Sequence, residues 1–461
     1  MLSISALAAL LAGCTLTPSG TDAERARLEA NADRYERPFA ERALPELPQD
    51  PTWEDLLHRA FLANGELEAA YFEWKAALER VDIASAYPNT NVGLGFEYMF
   101  SRERMKTFDR MTFSARFDAM ENLALPPKVA QAGKVALDEA RVAGERFRTA
   151  KFNLQERVLG AWAEYWLLVE RGRILDEQVQ LLRGVFDTAR ARVQAGGPQE
   201  DLLRAEIEVA TAEDALLTTE ADIEARRAGL NALLARQPDA LLAAPPNLPE
   251  PRALTVSDAD LILMAAGANP ELAALAREVE GRADALELAR LQWLPDINPS
   301  AAFTGGAAQV IGAMIMLPTT VVEIRGTINE AQAMVRATEA SLRQATHDRA
   351  SEFVAALVSL RDSERRADLF ETRVLPVADR ASDNVRASYS AGRAGYLDLI
   401  EAQRILLDVR LMIAEARAMR EQRLAELERL AGVDVESLMS LDTRARGIDG
   451  IAAQTEGFNH E

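Results

Sequence analysis

The stretch Val92-Gly93-Leu94-Gly95-Phe96-Glu97-Tyr98-Met99-Phe100 decides the fold, because it alternates where the sequence around it does not. Val92, Leu94, Phe96, Tyr98 and Phe100 share one face of an extended chain, and Gly93, Gly95 and Glu97 share the other. After a polar turn with Arg102, Arg104 and Lys106 the alternation returns. Met111, Phe113, Ala115, Phe117 and Ala119 lie on one side, Thr112, Ser114, Arg116 and Asp118 on the other. A strict period of two over about ten residues is the pattern and length of a membrane-spanning β-strand, and a half-buried surface hairpin shares it. A hairpin over residues 90–120 is expected. A second one is expected over 298–318: Ala301 and Phe303 start it, Gly305-Gly306 turns it, and Val310 to Leu317 returns with nearly every residue apolar. That pair reads as brief, and its return strand has no polar face.

Working outward, the alternation stops and long helices begin. After Pro127 no proline recurs before Gln194, and from about Val322 to Ser390 only Gly326 and Pro376 interrupt. At 1.5 Å per residue such stretches reach on the order of 100 Å. Leu154, Val158, Trp162, Tyr165 and Val169 step by three and four residues, with Glu and Arg filling much of the remainder. Such a stripe needs helical partners.

The pattern occurs twice. Trp53-Glu54-Asp55-Leu56-Leu57 leads to Asn64-Gly65-Glu66-Leu67, and Ser257-Asp258-Ala259-Asp260-Leu261 leads to Asn269-Pro270-Glu271-Leu272. Each copy then passes a proline (Pro88, Pro295), a non-helical stretch, a very long helix, a glycine turn and another helix. The turns are Ala195-Gly196-Gly197-Pro198 and Ser390-Ala391-Gly392-Arg393, with positive φ expected at Gly196 and Gly392. The Pro-rich segment 245–256 separates a first repeat, 51–244, from a second, 257–432, and a polar tail follows over 433–461. The class is mainly α with a small β part: a tandem-duplicated long-helix bundle carrying two β-hairpins.

Composition narrows function. Lys and Arg number 52 against 72 Asp and Glu, and a net charge of −20 argues against nucleic acid as a partner. One Cys and three His build neither a disulfide framework nor a Cys/His zinc site. His58, His347 and His460 lie far apart without metal-ligand spacing, Gly133-Lys134 lacks the rest of a phosphate loop, and no Gly-x-Ser-x-Gly elbow occurs. No enzyme, cofactor or metal is expected.

Residues Leu2 to Leu11 form a short apolar run, too short to span a membrane, ending in Leu11-Ala12-Gly13-Cys14. That quartet resembles a bacterial lipobox, which implies a signal peptide over 1–13 and lipid attached to Cys14. No Lys or Arg precedes the run, a departure that points to a translation start upstream of Met1. Residues 14–50 then read as a lipidated N-terminal tether.

The order of these parts resembles the TolC-like outer-membrane efflux (outer membrane factor) family, lipoprotein type, over about Trp53 to Gly432. Tyr389-Ser390-Ala391-Gly392 followed by Tyr396-Leu397-Asp398-Leu399-Ile400-Glu401-Ala402-Gln403 is similar to that family's second-repeat tip, and Arg325-Gly326-Thr327-Ile328-Asn329-Glu330-Ala331 to its strand-to-helix re-entry. The resemblance implies a homotrimer in the bacterial outer membrane. Each protomer would give four strands to one twelve-stranded β-barrel and its helices to an α-barrel tunnel through the periplasm. The implied role is the exit duct of a tripartite efflux or secretion system, with a periplasmic adaptor and an inner-membrane pump as partners. A structural envelope lipoprotein with a coiled-coil body and no pore is the alternative.

By the same resemblance the glycine turns at Gly196, Gly197 and Gly392 form the periplasmic tip that docks the adaptor, and Asp398 and Glu401 line its constriction. Their first-repeat counterparts are Asp201 and Arg204. Arg204 is expected to pair with Glu401 or Asp398 as a latch; the competing reading makes all four solvated helix-start residues.

Overall fold

The computed structural model describes residues 16–87, 90–98, 111–119, 124–249, 258–304 and 308–433. The signal peptide, Cys14, both hairpin turns and the tail after Val433 lie outside the described residues.

The chain opens with two short helices, α1 (Thr21–Glu29) and α2 (Ala32–Tyr35). The first repeat then runs α3 (Trp53–Ala63), α4 (Gly65–Ser85), β1 (Thr90–Tyr98), β2 (Met111–Ala119), α5 (Pro126–Gln194) and α6 (Gln199–Leu233). The second runs α7 (Asp258–Ala268), α8 (Pro270–Arg290), β3 (Asp296–Thr304), β4 (Ala308–Met316), α9 (Val321–Leu369), a π-turn (Phe370–Val374), α10 (Leu375–Ser390) and α11 (Tyr396–Ala431).

Duplication is visible in the lengths. α3 and α7 have 11 residues each, and α4 and α8 have 21. α6 has 35 against 36 in α11, and all four strands have nine. The second hairpin is therefore not brief: its strands match those of the first and start two residues earlier than expected. α5 is one helix of 69 residues, whereas α9, the π-turn and α10 have 49, 5 and 16, one more in all. A π-turn is how an α-helix absorbs one inserted residue. It precedes Pro376, which has no N–H for the helical ladder.

The described residues divide into two compact units, the first drawn from 1–36, 70–147 and 271–345, the second from 37–69, 148–270 and 346–461. The first holds the sheet, four antiparallel strands in the order β1-β2-β3-β4. Its register sets Leu94 opposite Ala115, Phe96 opposite Phe113 and Gly95 opposite Ser114, so the alternation read from sequence pairs like with like. The Phe96 and Phe113 rings sit 5.2 Å apart. Leu94, Phe96 and Phe113 are 83%, 58% and 61% exposed. β2 pairs Ser114–Asp118 with Ser300–Thr304 of β3, so Pro299 stands just beyond that ladder, where a missing N–H breaks no bond to β2. Within the described chain β1 and β4 each keep one edge unpaired. Lys128, in the first turn of α5, donates to Asp296 at the start of β3 (2.7 Å) and to the Leu294 carbonyl (2.8 Å).

Residues 16–36 of the segment expected to be a tether are instead folded onto this unit. Arg25 forms a two-pronged bond to Asp82 (2.6 and 2.7 Å), and the Trp74 indole donates to buried Glu24 at 3.0 Å. Arg27 bridges Glu24 and Glu145, each at 3.0 Å, and buried Tyr35 packs on Tyr71 with centroids 5.0 Å apart. The Leu16 amide donates to the Ser85 carbonyl at 2.9 Å.

The second unit is helical. Leu261, Phe353, Leu357 and Leu360 pack on Leu427 and Leu430. Asn64, between α3 and α4, donates to the Leu233 carbonyl (3.5 Å), and Asn269, between α7 and α8, donates to the Leu430 carbonyl (2.6 Å). The asparagine echoed between the repeats thus satisfies the same kind of orphan carbonyl near the end of the repeat's last helix. The Pro-rich linker is described to Pro249: just before it Tyr165 donates to the Leu242 carbonyl (2.7 Å), and within it Leu248 lies against Trp166, Ala414 and Ala418. Among the described residues no helix is long and apolar enough to cross a membrane.

Candidate functional site: the paired glycine turns

Both long helices end in the same hydrogen-bond pattern. Gly196 has φ 91° and donates to the Val193 carbonyl (3.0 Å), and Gly197 donates to the Arg192 carbonyl (2.9 Å). Gly392 has φ 71° and donates to Tyr389 (3.0 Å), and Arg393 donates to Ser388 (2.8 Å). Positive φ at these glycines is what a helix needs to stop and turn. A Cβ at Gly197 would sit 2.9 Å from the Arg192 carbonyl oxygen, so this turn also closes too tightly for a side chain.

α6 starts three residues after Gly196 and α11 four after Gly392, which is the one-residue slip between the copies. Asp201 and Asp398 therefore hold the same third helical position. Asp398 accepts the Gly395 N–H at 2.9 Å and caps its helix. Asp201 follows Pro198, which has no N–H to give. Asp398, Glu401 and Arg204 are exposed and Asp201 is half-buried.

The expected latch is not formed within the chain. Arg204 bonds Glu200, one turn earlier on its own helix, not Glu401 or Asp398. A partner four residues away on one helix costs little side-chain ordering. The three groups nevertheless border one open groove of about 730 Å³, shared with Glu208, Tyr396 and Arg404.

What joins the two turns is a set of residues that sequence reading passed over. The Arg192 guanidinium lies over the Tyr389 ring, 4.0 Å from its centroid, and donates to the Tyr389 carbonyl. Arg404 bonds Glu208 (2.6 Å), tying α11 to α6, and Arg410 reaches Glu177 of α5 (3.2 Å). Gln403 donates to Ser382 (2.8 Å) between α11 and α10. Underneath, Tyr389 and Tyr396 are 3% and 4% exposed, with rings 6.4 Å apart, among Val179, Leu182, Leu399 and Ile400. Among the described residues neither buried hydroxyl has a hydrogen-bond partner. Burial pushes the Tyr389 phenol up, as does Asp201, against the Arg192 cation. Burial first, then Glu208, pushes that of Tyr396 up to about 12, so both stay neutral at ordinary pH. The only sequence signal for the clamp was a cation in the last turn before Gly196, which alone says nothing of its partner.

Among the described residues no three His, Cys, Asp or Glu side chains are grouped to hold a metal ion. The turns offer exposed carboxylates, a guanidinium and the exposed apolar side chains Ile207, Leu397 and Ile405 along one groove. Such a surface suits contact with another protein and short-range electrostatics.

No protein-family model matches the sequence, and no curated protein matches it. Solved structures do. The outer membrane protein VceC from Vibrio cholerae superposes with a TM-score of 0.70 at 20% identity, over 84% of this chain and 97% of that one. The outer-membrane channel OprN gives 0.71 at 18% identity, over 87% and 96%. The open state of the MtrE outer membrane channel of Neisseria gonorrhoeae gives 0.71 at 17% identity, over 84% and 90%. The duplicated long helices, the four strands and these superpositions give one conclusion: the chain has the fold of the TolC-like outer-membrane channels.

Proposed function

We propose that the chain is the outer-membrane duct of a tripartite efflux or secretion system, working as a homotrimer with a periplasmic adaptor and an inner-membrane pump. The observation that carries this reading is the sheet. Four strands of nine residues have the length of membrane-spanning strands, expose Leu94, Phe96 and Phe113, and leave an unpaired edge on β1 and on β4. Lipid cannot satisfy bare backbone amides, so such edges must close on further copies. Three copies give twelve strands, within the range of known barrels.

A lipid on Cys14 would add a second hold on the outer membrane. Leu16, two residues on, is bonded to Ser85, five residues before β1, which supports an anchor near the barrel. In the trimer Asp398, Glu401 and Asp201 would ring the periplasmic aperture, with Arg204 set against them, and the turns at Gly196, Gly197 and Gly392 would receive the adaptor. Rings of carboxylates favour cations.

Purified full-length chain in a planar bilayer tests this. The expected result is a cation-preferring conductance whose preference falls in Glu401→Gln. A water-soluble, non-conducting monomer would overturn the duct and support a pore-free structural lipoprotein.

A further inference from the structure

Away from the turns, Asp138 of α5 is 4% exposed, in the contact with α8. Its carboxyl lies within hydrogen-bonding reach of the Asp284 carboxyl on α8. Gly281, one turn before Asp284, permits this: a Cβ there would stand 3.1 Å from the Asp138 Cβ. One oxygen of each carboxyl is already engaged. Arg141 bonds Asp138 at 3.0 Å, and Gln131 donates to the Asp284 carboxylate at 2.9 Å and to its backbone carbonyl at 3.0 Å. Two carboxyls within hydrogen-bonding reach are both acceptors when ionised, and only a proton between them makes a bond.

We propose that Asp138 and Asp284 fasten α5 to α8 by sharing one proton, so that this contact is tight in acid and slackens when the proton is lost.

Other charged groups surround Asp138. α5 adds Glu139 and Arg146, and α4 brings Glu73 and Arg80 to the same cleft of about 400 Å³. α8 adds Arg277, held by Glu280, and Arg282, held by Glu278. α1 brings Arg27, already shared by Glu24 and Glu145. Burial first, then the bond to Asp284, raises the Asp138 carboxyl from 3.8 to about 6, against the pull of Arg141. A folded-state value above the unfolded one means that stability is gained as pH falls through about 6, and the gain is complete below the ordinary carboxylate value. The fastener is a property of these helices and does not depend on the duct reading. If the chain is exported, the fastener meets the pH of the cell's surroundings.

Hydrogen exchange of the full chain in detergent, at about pH 5 and about pH 7.5 and corrected for intrinsic rates, tests it. Peptides spanning 131–142 and 278–288 should gain protection in acid, by up to about tenfold at pH 5, where only part of the gain between about 6 and 3.8 is realised. In Asp138→Asn the amide donates permanently, and the same peptides should be equally protected at both pH values. Asp284→Asn is the second variant and should behave alike, so failure of either to fold leaves the other decisive. Wild-type peptides indifferent to pH, or a wild-type dependence kept in every variant that folds, would overturn the proposal. Neither outcome bears on conductance, so the fastener and the duct fail separately.

Discussion

Arg192 does two things at once: its charge sits on the face of the Tyr389 ring, and its N–H groups satisfy the Tyr389 carbonyl near the end of α10. Arg192→Met keeps much of the volume and removes both, at a cost of about 1–3 kcal/mol. The expected outcome is roughly tenfold or greater loss of hydrogen-exchange protection over residues 385–391, with partial rescue by Arg192→Lys, which keeps the charge but not the flat stack. Unchanged protection in Arg192→Met would remove the clamp from the account. This contact was illegible in the sequence because its partners stand 197 residues apart. The glycines were legible, since positive φ leaves few residue types to choose from. Within the chain Arg204 and Asp398 do not pair with each other: Arg204 bonds Glu200 and Asp398 accepts from Gly395. Cap and intrahelical bonds reach the nearest donor or acceptor first, as Gly395 and Glu200 show.

At the scale of elements, periodicity carried the reading. Alternation located the first hairpin, a glycine pair and an apolar run placed the second to within two residues, and the absence of proline located the long helices. The second hairpin looked brief because β4 lacks alternation: Met314, Ile315 and Met316 are apolar in succession, yet pair with Asn298, Ile297 and Asp296 in regular register. The docked N-terminal segment was missed because buried Glu24, which holds it, is a polar residue that pattern assigns to solvent. The π-turn also left no pattern, since one extra residue in a stretch of this length changes periodicity hardly at all. It makes a sharp prediction. If the turn absorbs an insertion, deleting Thr372 together with Pro376→Ala should restore a plain α-helix with both flanks in phase, and the Tm should barely change. Deleting Ala340 within α9, where no bulge compensates, rotates one flank by about 100° and should lower the Tm by several degrees. Equal losses in the two deletions would contradict the insertion.

For the molecule as a whole, the duplicated order of helix, hairpin, long helix and turn was fully legible, and that order matches the superposed channels at identities of 20% or less. Fold survives such divergence because it depends on where apolar side chains recur, while sites depend on which residues meet. What one chain leaves undone is the sheet: nine-residue strands with apolar side chains exposed and two edges open. Closing those edges is the centre of the proposed function, and cysteine pairs test it most directly. With one cysteine placed in β1 and one in β4, across a scan of registers, oxidation in membranes should give a covalent ladder ending at three copies. A chain that stays monomeric at every register, and soluble without detergent, would contradict it.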